Sequence, residues 1–167
     1  TPNDFVNGVR VFVDVDPRSG NLDPLLLAQA VRDLTAGGER AQQWLSRKGS
    51  ASRRALKAIL GVDVFGQSAD WDPIRKLADE FGLKVIEDSC EALGAEYKGH
   101  KVGTLGDYAV FAFYPNKQIT TGEGGIIVTD NVESADLMRA LRNQGRAPGD
   151  TWLSHTYLGY NYRLDEM

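Results

Sequence analysis

The sequence predicts an α/β fold, a three-layer α/β/α arrangement around a mostly parallel sheet. Three observations carry this reading. Five short runs are nearly continuous in Val, Ile and Phe, as in strands buried on both faces. Stretches with helical spacing lie between several of them, and strands alternating with helices favour parallel pairing. Two of these stretches open on Asp-Pro, a pair that suits a helix N-terminus: the carboxylate accepts from the first free amides, and proline lacks only an unused one.

The elements follow in order. "VRVFVDV" (residues 9–15) reads as the first strand. "LDPLLLAQAVRDL" reads as a helix with Asp23 as N-cap and Pro24 at its first position. Residues 35–54, "TAGGERAQQWLSRKGSASRR", are polar and broken by Gly37, Gly38 and Gly49. They read as an insertion or mobile loop holding one helix around residues 42–47, not as a separate domain. "LKAILGVDVF" (56–65) is the second strand, although Gly61 inside it is a weakening residue without an evident reason. "DPIRKLADEFG" reads as a helix with Asp72 as N-cap, Pro73 first and Gly82 just past its end. Residues 83–88, 108–113 and 125–130 supply the remaining strands. "ESADLMRALRNQG" is the last helix, with apolar Leu137, Met138 and Leu141 and a stop at Gly145. No internal repeat is present.

Composition bounds the function. A length of 167 residues suits one domain with a genuine core, and 42% hydrophobic with 25% charged residues is the balance of a globular protein in water. The net charge of -4 provides no global field for nucleic acid or acidic membrane. The densest basic stretch, "RKGSASRRALK", lacks interleaved aromatics and reads as a solvated face. One cysteine forbids an internal disulfide, and with two histidines it argues against a zinc site. No apolar run approaches the roughly 20 residues of a membrane span, and nothing resembles a leader, so a cytoplasmic location is expected.

Two residues stand where an open parallel sheet binds ligands, beyond the carboxyl ends of its strands. Asp88 ends the "KVIED" run and Lys117 follows "YAVFAF", so an acid and an amine are expected on one rim. Each has an ordinary alternative. Asp88 also suits the N-cap of a helix begun by "SCEAL", and Lys117 a solvated charge. The glycines of "TTGEGG" suit a turn between strands and lack the spacing of a P-loop.

Taken in order, "VIEDSCEALGAEYKGHKVGTLGDYAVFAFYPNKQITTGEGGIIVTD", "LRNQGR" and "LGYNYRLDEM" resemble the DegT/DnrJ/StrS family of pyridoxal-phosphate-dependent sugar aminotransferases. "VFVDVDPRSGNLDP" and "VDVFGQSADWDPI" match the same family's large domain, so the resemblance spans nearly everything outside residues 35–54. It implies a fold type I transferase. Lys117 then takes the place of the Schiff-base lysine that holds pyridoxal 5'-phosphate, and Asp88 that of the acid pairing with the pyridine nitrogen. Glu91 stands where many relatives carry Gln or His against the ring oxygen. A carboxylate beside a phenolate is repulsive unless one of them is protonated. Ala92 suits packing on a ring face or a place in the core. Ala112 replaces a serine that gives a phosphate contact in many relatives, a contact that Tyr114 or Asn116 would have to replace. Asn161 matches a residue reaching the cofactor phosphate of the neighbouring subunit, with Arg163 as a second anion contact.

The same resemblance implies transfer of an amino group from glutamate to a nucleotide-linked keto-sugar, by a homodimer with a shared site and without metal, membrane or nucleic acid. Relatives with histidine in place of the lysine are dehydratases, so Lys117 favours the aminotransferase. A dehydratase or lyase of the same fold, and a non-catalytic cofactor-binding remnant, are the alternatives. Residues 1–167 are expected to be a partial large domain, lacking an N-terminal strand–helix unit and the C-terminal small domain. Unpaired backbone and exposed apolar surface are expected as a result.

Overall fold

A computed structural model describes residues 8–45 and 55–164. Helix α1 (Pro24–Ala36) is followed by a short α2 (Gly38–Gln42). Strand β1 (Ala58–Val62), a 3-10 turn (Val64–Gly66), α3 (Trp71–Phe81) and β2 (Lys84–Asp88) come next. A small hairpin pairs β3 (Glu96–Tyr97) with β4 (His100–Lys101), and β5 (Tyr108–Ala112), β6 (Gly125–Val128) and α4 (Val132–Arg142) complete the order. The main sheet runs β1-β2-β5-β6. Its first three strands are parallel and β6 is antiparallel to β5. The mixed, mostly parallel α/β sheet is the one expected.

Register separates the sheet into two unlike faces. Ile59, Val85 and Ala109 project to one side and are buried with Trp71, Ile74 and Leu77 of α3 and with Leu27 and Val31 of α1. Leu60, Ile86 and Ile127 lie on the other side, where Leu60 and Ile127 are about half exposed. Among the described residues α1 and α3 cover the first face, whereas on the other α4 meets the sheet through a bond between the Tyr108 and Ser134 hydroxyls, and Leu60 and Ile127 stay open to water. The patterning of the apolar runs is that of strands meant to be covered on both sides.

The interior explains Gly61. A Cβ there would stand 2.8 Å from the Trp71 indole ring, closer than packed carbons approach. The glycine is the notch that admits the largest buried side chain, and the Trp71 indole N–H then donates to Asp63 at 3.0 Å.

Several elements depart from the sequence reading. Residues 9–15 form no strand: Val15 makes an isolated bridge to Leu22, and Val13 packs against the core without joining the sheet. A strand needs a ladder partner, and hydrophobic patterning alone cannot supply one. The α1 cap is as read, Asp23 accepting from the amides of Leu25 and Leu26. Helix α3 instead starts two residues early, with Asp70 as N-cap in place of Asp72 and no side-chain cap bond. The Asp70 carboxylate is engaged by the Tyr97 hydroxyl, and Asp72 pairs with Lys98. Gly82 closes α3 in the left-handed conformation, as expected.

Helix α4 ends at Arg142, short of Gly145, whose close contact with the Tyr157 carbonyl leaves no room for a side chain. The helix read around residues 42–47 lies earlier, at Gly38–Gln42, and residues 46–54 fall outside the described chain. "SCEAL" forms turns, not a helix. The β3–β4 hairpin was not read from the sequence, although Lys98 (φ 49°) and Gly99 (φ 84°) form the two-residue turn that twisted hairpins favour.

Candidate active site

Parallel register brings three strand ends to one rim. Val62 faces Asp88 across β1 and β2, and Asp88 faces Val110 of β5. The chain then leaves β5 for a loop closed at its base: the Phe113 amide donates to the Gly124 carbonyl at 2.8 Å, and Thr121 donates back to Phe113 at 3.1 Å. Inside this loop the Lys117 amide donates to the Tyr114 carbonyl at 3.0 Å, a turn that holds the lysine above the strand ends. Gln118 fixes the same turn by donating its side-chain amide to the Glu91 carbonyl. The "TTGEGG" glycines therefore serve a connection between strands, with Gly122 and Gly124 at positive φ.

Lys117 is not a solvated surface charge. Its side chain is 18% exposed, and Nζ lies 3.2 Å from Glu91 Oε1. Glu91 uses its second oxygen to accept the Phe65 amide at 3.0 Å. The Phe65 amide, followed by Lys117, holds the Glu91 carboxyl below the usual glutamate range, so it is ionised at neutral pH. Asp88 is half-buried at the end of β2, its Oδ1 accepting the Cys90 amide at 3.2 Å. The Cys90 thiol is pushed up to about 12, first by burial and then by Asp88, while Lys117 opposes the shift and Glu91 adds to it. One thiol thus lies within the field of all three charged groups. Asp88, Glu91 and Lys117 form a single cluster at the C-terminal rim.

The other expected residues are placed differently. Ala92 is 1% exposed and sits in the interior. Ala112 ends β5 opposite Gly125, and Tyr114 is exposed. Asn161 and Arg163 lie beside the end of α4: Asn161 bridges to Asn143, and Arg163 reaches the Asn143 side-chain oxygen at 3.4 Å. No hydrogen bond or ion pair among the described residues joins either to Lys117, Glu91 or Asp88. Arg163 instead shares a cleft of about 550 Å³ with Arg139, Arg142 and Arg146.

Two acids essential to the rim were not singled out in the sequence. Asp63, fully buried, accepts from the Ala69 amide, the Trp71 indole and the Ser89 hydroxyl (2.7 Å), tying β1 to the turn after Asp88. Glu87, also fully buried, accepts the amides of Gly103, Leu105 and Gly106 and shapes the passage into β5. Burial pushes the Glu87 carboxyl up, against the pull of those three amides. Asp63 follows the end of β1 and Glu87 lies inside β2, and the signal that could have found Glu87 is the alternation that puts it on the same face as buried Val85.

A mostly parallel α/β sheet thus carries a half-buried lysine, its carboxylate partner and a strand-end aspartate on the rim where such sheets bind ligands. The DegT/DnrJ/EryC1/StrS aminotransferase family profile matches residues 5–167, and the chain belongs to that family. It is 42% identical to GDP-perosamine synthase of Caulobacter vibrioides over 98% of this chain and 38% of that protein. Among solved structures it is similar to a DegT DnrJ EryC1 StrS aminotransferase from Brucella abortus, with TM-score 0.77 and 32% identity over 93% of this chain and 38% of that one. It is also similar to PseC of Helicobacter pylori, an aminotransferase involved in the biosynthesis of pseudoaminic acid, with TM-score 0.72 and 32% identity over 92% of this chain and 36% of that one. The chain therefore spans less than two fifths of the length of these relatives. Among the described residues no helix is long and apolar enough to cross a membrane, and no group of three or more His, Cys, Asp or Glu is placed to hold a metal.

Proposed function

We propose that this chain carries the cofactor-holding part of a pyridoxal-phosphate-dependent aminotransferase that passes an amino group from glutamate to a nucleotide-linked keto-sugar. One observation supports this best: the only cation in the rim cluster is an amine, held half-buried against a single carboxylate beside a strand-end acid. The donor set fits the cofactor. Lys117 would hold it covalently through its aldehyde, and Asp88 would keep a pyridine nitrogen protonated. Bound there, the cofactor supplies a ring that delocalises the electron pair left when a C–H bond is broken.

The remaining work falls to the chain's own groups. Glu91 holds Nζ of Lys117 in place at the strand-end rim, where the amine would bond to a carbonyl carbon. With its amine free, Nζ would be the base positioned to carry a proton between carbon centres. The Gln118–Glu91 bond keeps lysine and carboxylate on one rigid turn. The arginine cleft, with Arg163 on its wall and Asn161 adjoining, is where a phosphate of a second subunit's cofactor would be met in a homodimer. A cytoplasmic biosynthetic role accompanies this reading.

Titration with pyridoxal phosphate tests it. A near-visible absorbance band from a lysine-bound aldehyde is expected, saturating near one equivalent and absent in Lys117→Ala. A band of equal strength in that variant would refute the assignment.

A further inference from the structure

The 3-10 turn at Val64–Gly66 carries a residue that the reading above does not use. Phe65 has φ 55° and ψ 25°, a left-handed conformation that a non-glycine residue of this size adopts only under strain. The residue is 89% exposed, so no packing among the described residues offsets the strain. Nevertheless the turn is tightly fixed. Asn21, 2% exposed and 43 residues upstream, accepts the Val64 amide at 2.9 Å and donates to the carbonyls of Gln67 (3.0 Å) and Ser68 (3.1 Å). The Phe65 amide itself is taken by Glu91 Oε2 at 3.0 Å, and Gly66 packs so that a Cβ would lie 3.2 Å from the Glu91 carbonyl. A buried asparagine and a carboxylate from two distant segments thus hold one exposed aromatic in a strained conformation.

The carboxylate that holds Phe65 is the one that holds Lys117. Its two oxygens are divided between them, Oε2 to the Phe65 amide and Oε1 to the Lys117 amine at 3.2 Å. Strain maintained by this many contacts, with an apolar ring left in water, has a use only when something lies against the ring. We propose that Phe65 is a ligand-contacting residue of the Lys117 site, positioned by Glu91, and that its ring packs on the face of a six-membered ring whose carbonyl is bound at Lys117. The inference rests on the proposed function. The ring belongs either to the aldehyde cofactor or to the keto-sugar, and both present a flat face on which an aromatic side chain packs. Glu91 is the positioning residue: it sets the distance between the aromatic wall and the amine.

The test uses the 167-residue chain with ¹⁵N- and ¹³C-labelled phenylalanine, Phe65 being assigned by comparison with Phe65→Leu. In the free chain the Phe65 amide resonance is expected to follow ionisation of Glu91. The charged and titratable groups around that carboxylate are Lys117 and the Cys90 thiol, with Asp88 acting on the same thiol. The midpoint is expected to rise in Lys117→Met and the transition to disappear in Glu91→Gln. An amide that titrates alike in all three proteins overturns the positioning role, whatever the cofactor does.

Pyridoxal phosphate is then added, followed by UDP-glucose as a non-reacting nucleotide-linked hexose, with modification of Lys117 read by mass. A shift of the Phe65 ring signals with pyridoxal phosphate alone assigns the cofactor face, and a shift only after UDP-glucose assigns the sugar face. Unmoved ring signals with Lys117 modified overturn the ligand contact. If Lys117 stays unmodified, the proposed function and this contact fall together, and the pH titration still decides the role of Glu91.

Discussion

At the scale of single residues, the site is a division of labour between groups visible in the sequence and groups that burial alone reveals. Asp88 and Lys117 were legible because each follows a strand-like run, and strand ends are where such sheets bind ligands. Glu91 was legible by position only. The sequence did not show that its carboxylate pairs with Lys117. Glu87 was not legible, since nothing in "KVIEDSC" says which acid turns inward. Its carboxylate satisfies three amides of the loop before β5, so Glu87→Ala is expected to leave them unpaired in the interior and cost about 3 kcal/mol or more, measured by denaturant unfolding. Glu87→Gln, which keeps one acceptor oxygen, should lose less.

The elements themselves were read better than their ends and partners. Patterning located β1, β2, β5, β6, α1, α3 and α4, because apolar periodicity records which side of an element meets the core. It placed a strand at residues 9–15 that is absent, since pairing depends on a neighbour that patterning does not specify. The Asp-Pro cap of α3 slipped by two residues because the competing tyrosine, Tyr97, lies 27 residues away from Asp70. Gly61 is an element-scale feature: the strand gives up a side chain so that α3 can seat Trp71. Gly61→Ala is expected to destabilise by about 1–3 kcal/mol through overpacking, and pairing it with Trp71→Phe should recover part of the loss.

Where α3, β2 and β5 meet, Asp107 joins Arg75, Lys84 and the Val85 amide. Burial raises its carboxyl, but Lys84, Val85 and Arg75 outweigh this and hold it at about 2. A folded value below the unfolded one gives stability that is present above about pH 4 and lost as the pH falls toward 2. Thermal unfolding of the parent should therefore weaken more steeply over that window than that of Asp107→Asn, by about 1–2 kcal/mol.

For the whole molecule, the fold class and the rim carrying the site follow from the sequence, whereas the one-sided burial of the sheet does not. Leu60 and Ile127 stay about half exposed on the face that α1 and α3 leave uncovered, although their sequence patterning suits a sheet covered on both sides. The chain in isolation is expected to self-associate through this face. Sedimentation should show concentration-dependent oligomers, reduced by Leu60→Lys with Ile127→Lys while the circular dichroism stays unchanged. A parent chain monomeric at high concentration would oppose that expectation. The account stands most directly on Lys117 as the group that takes the cofactor aldehyde. Borohydride reduction after incubation with pyridoxal phosphate, followed by peptide mapping, tests it at single-residue resolution. The account expects one reduced adduct, on the peptide containing Lys117, formed well before any other lysine reacts. An adduct spread over exposed lysines with Lys117 unmodified would contradict it.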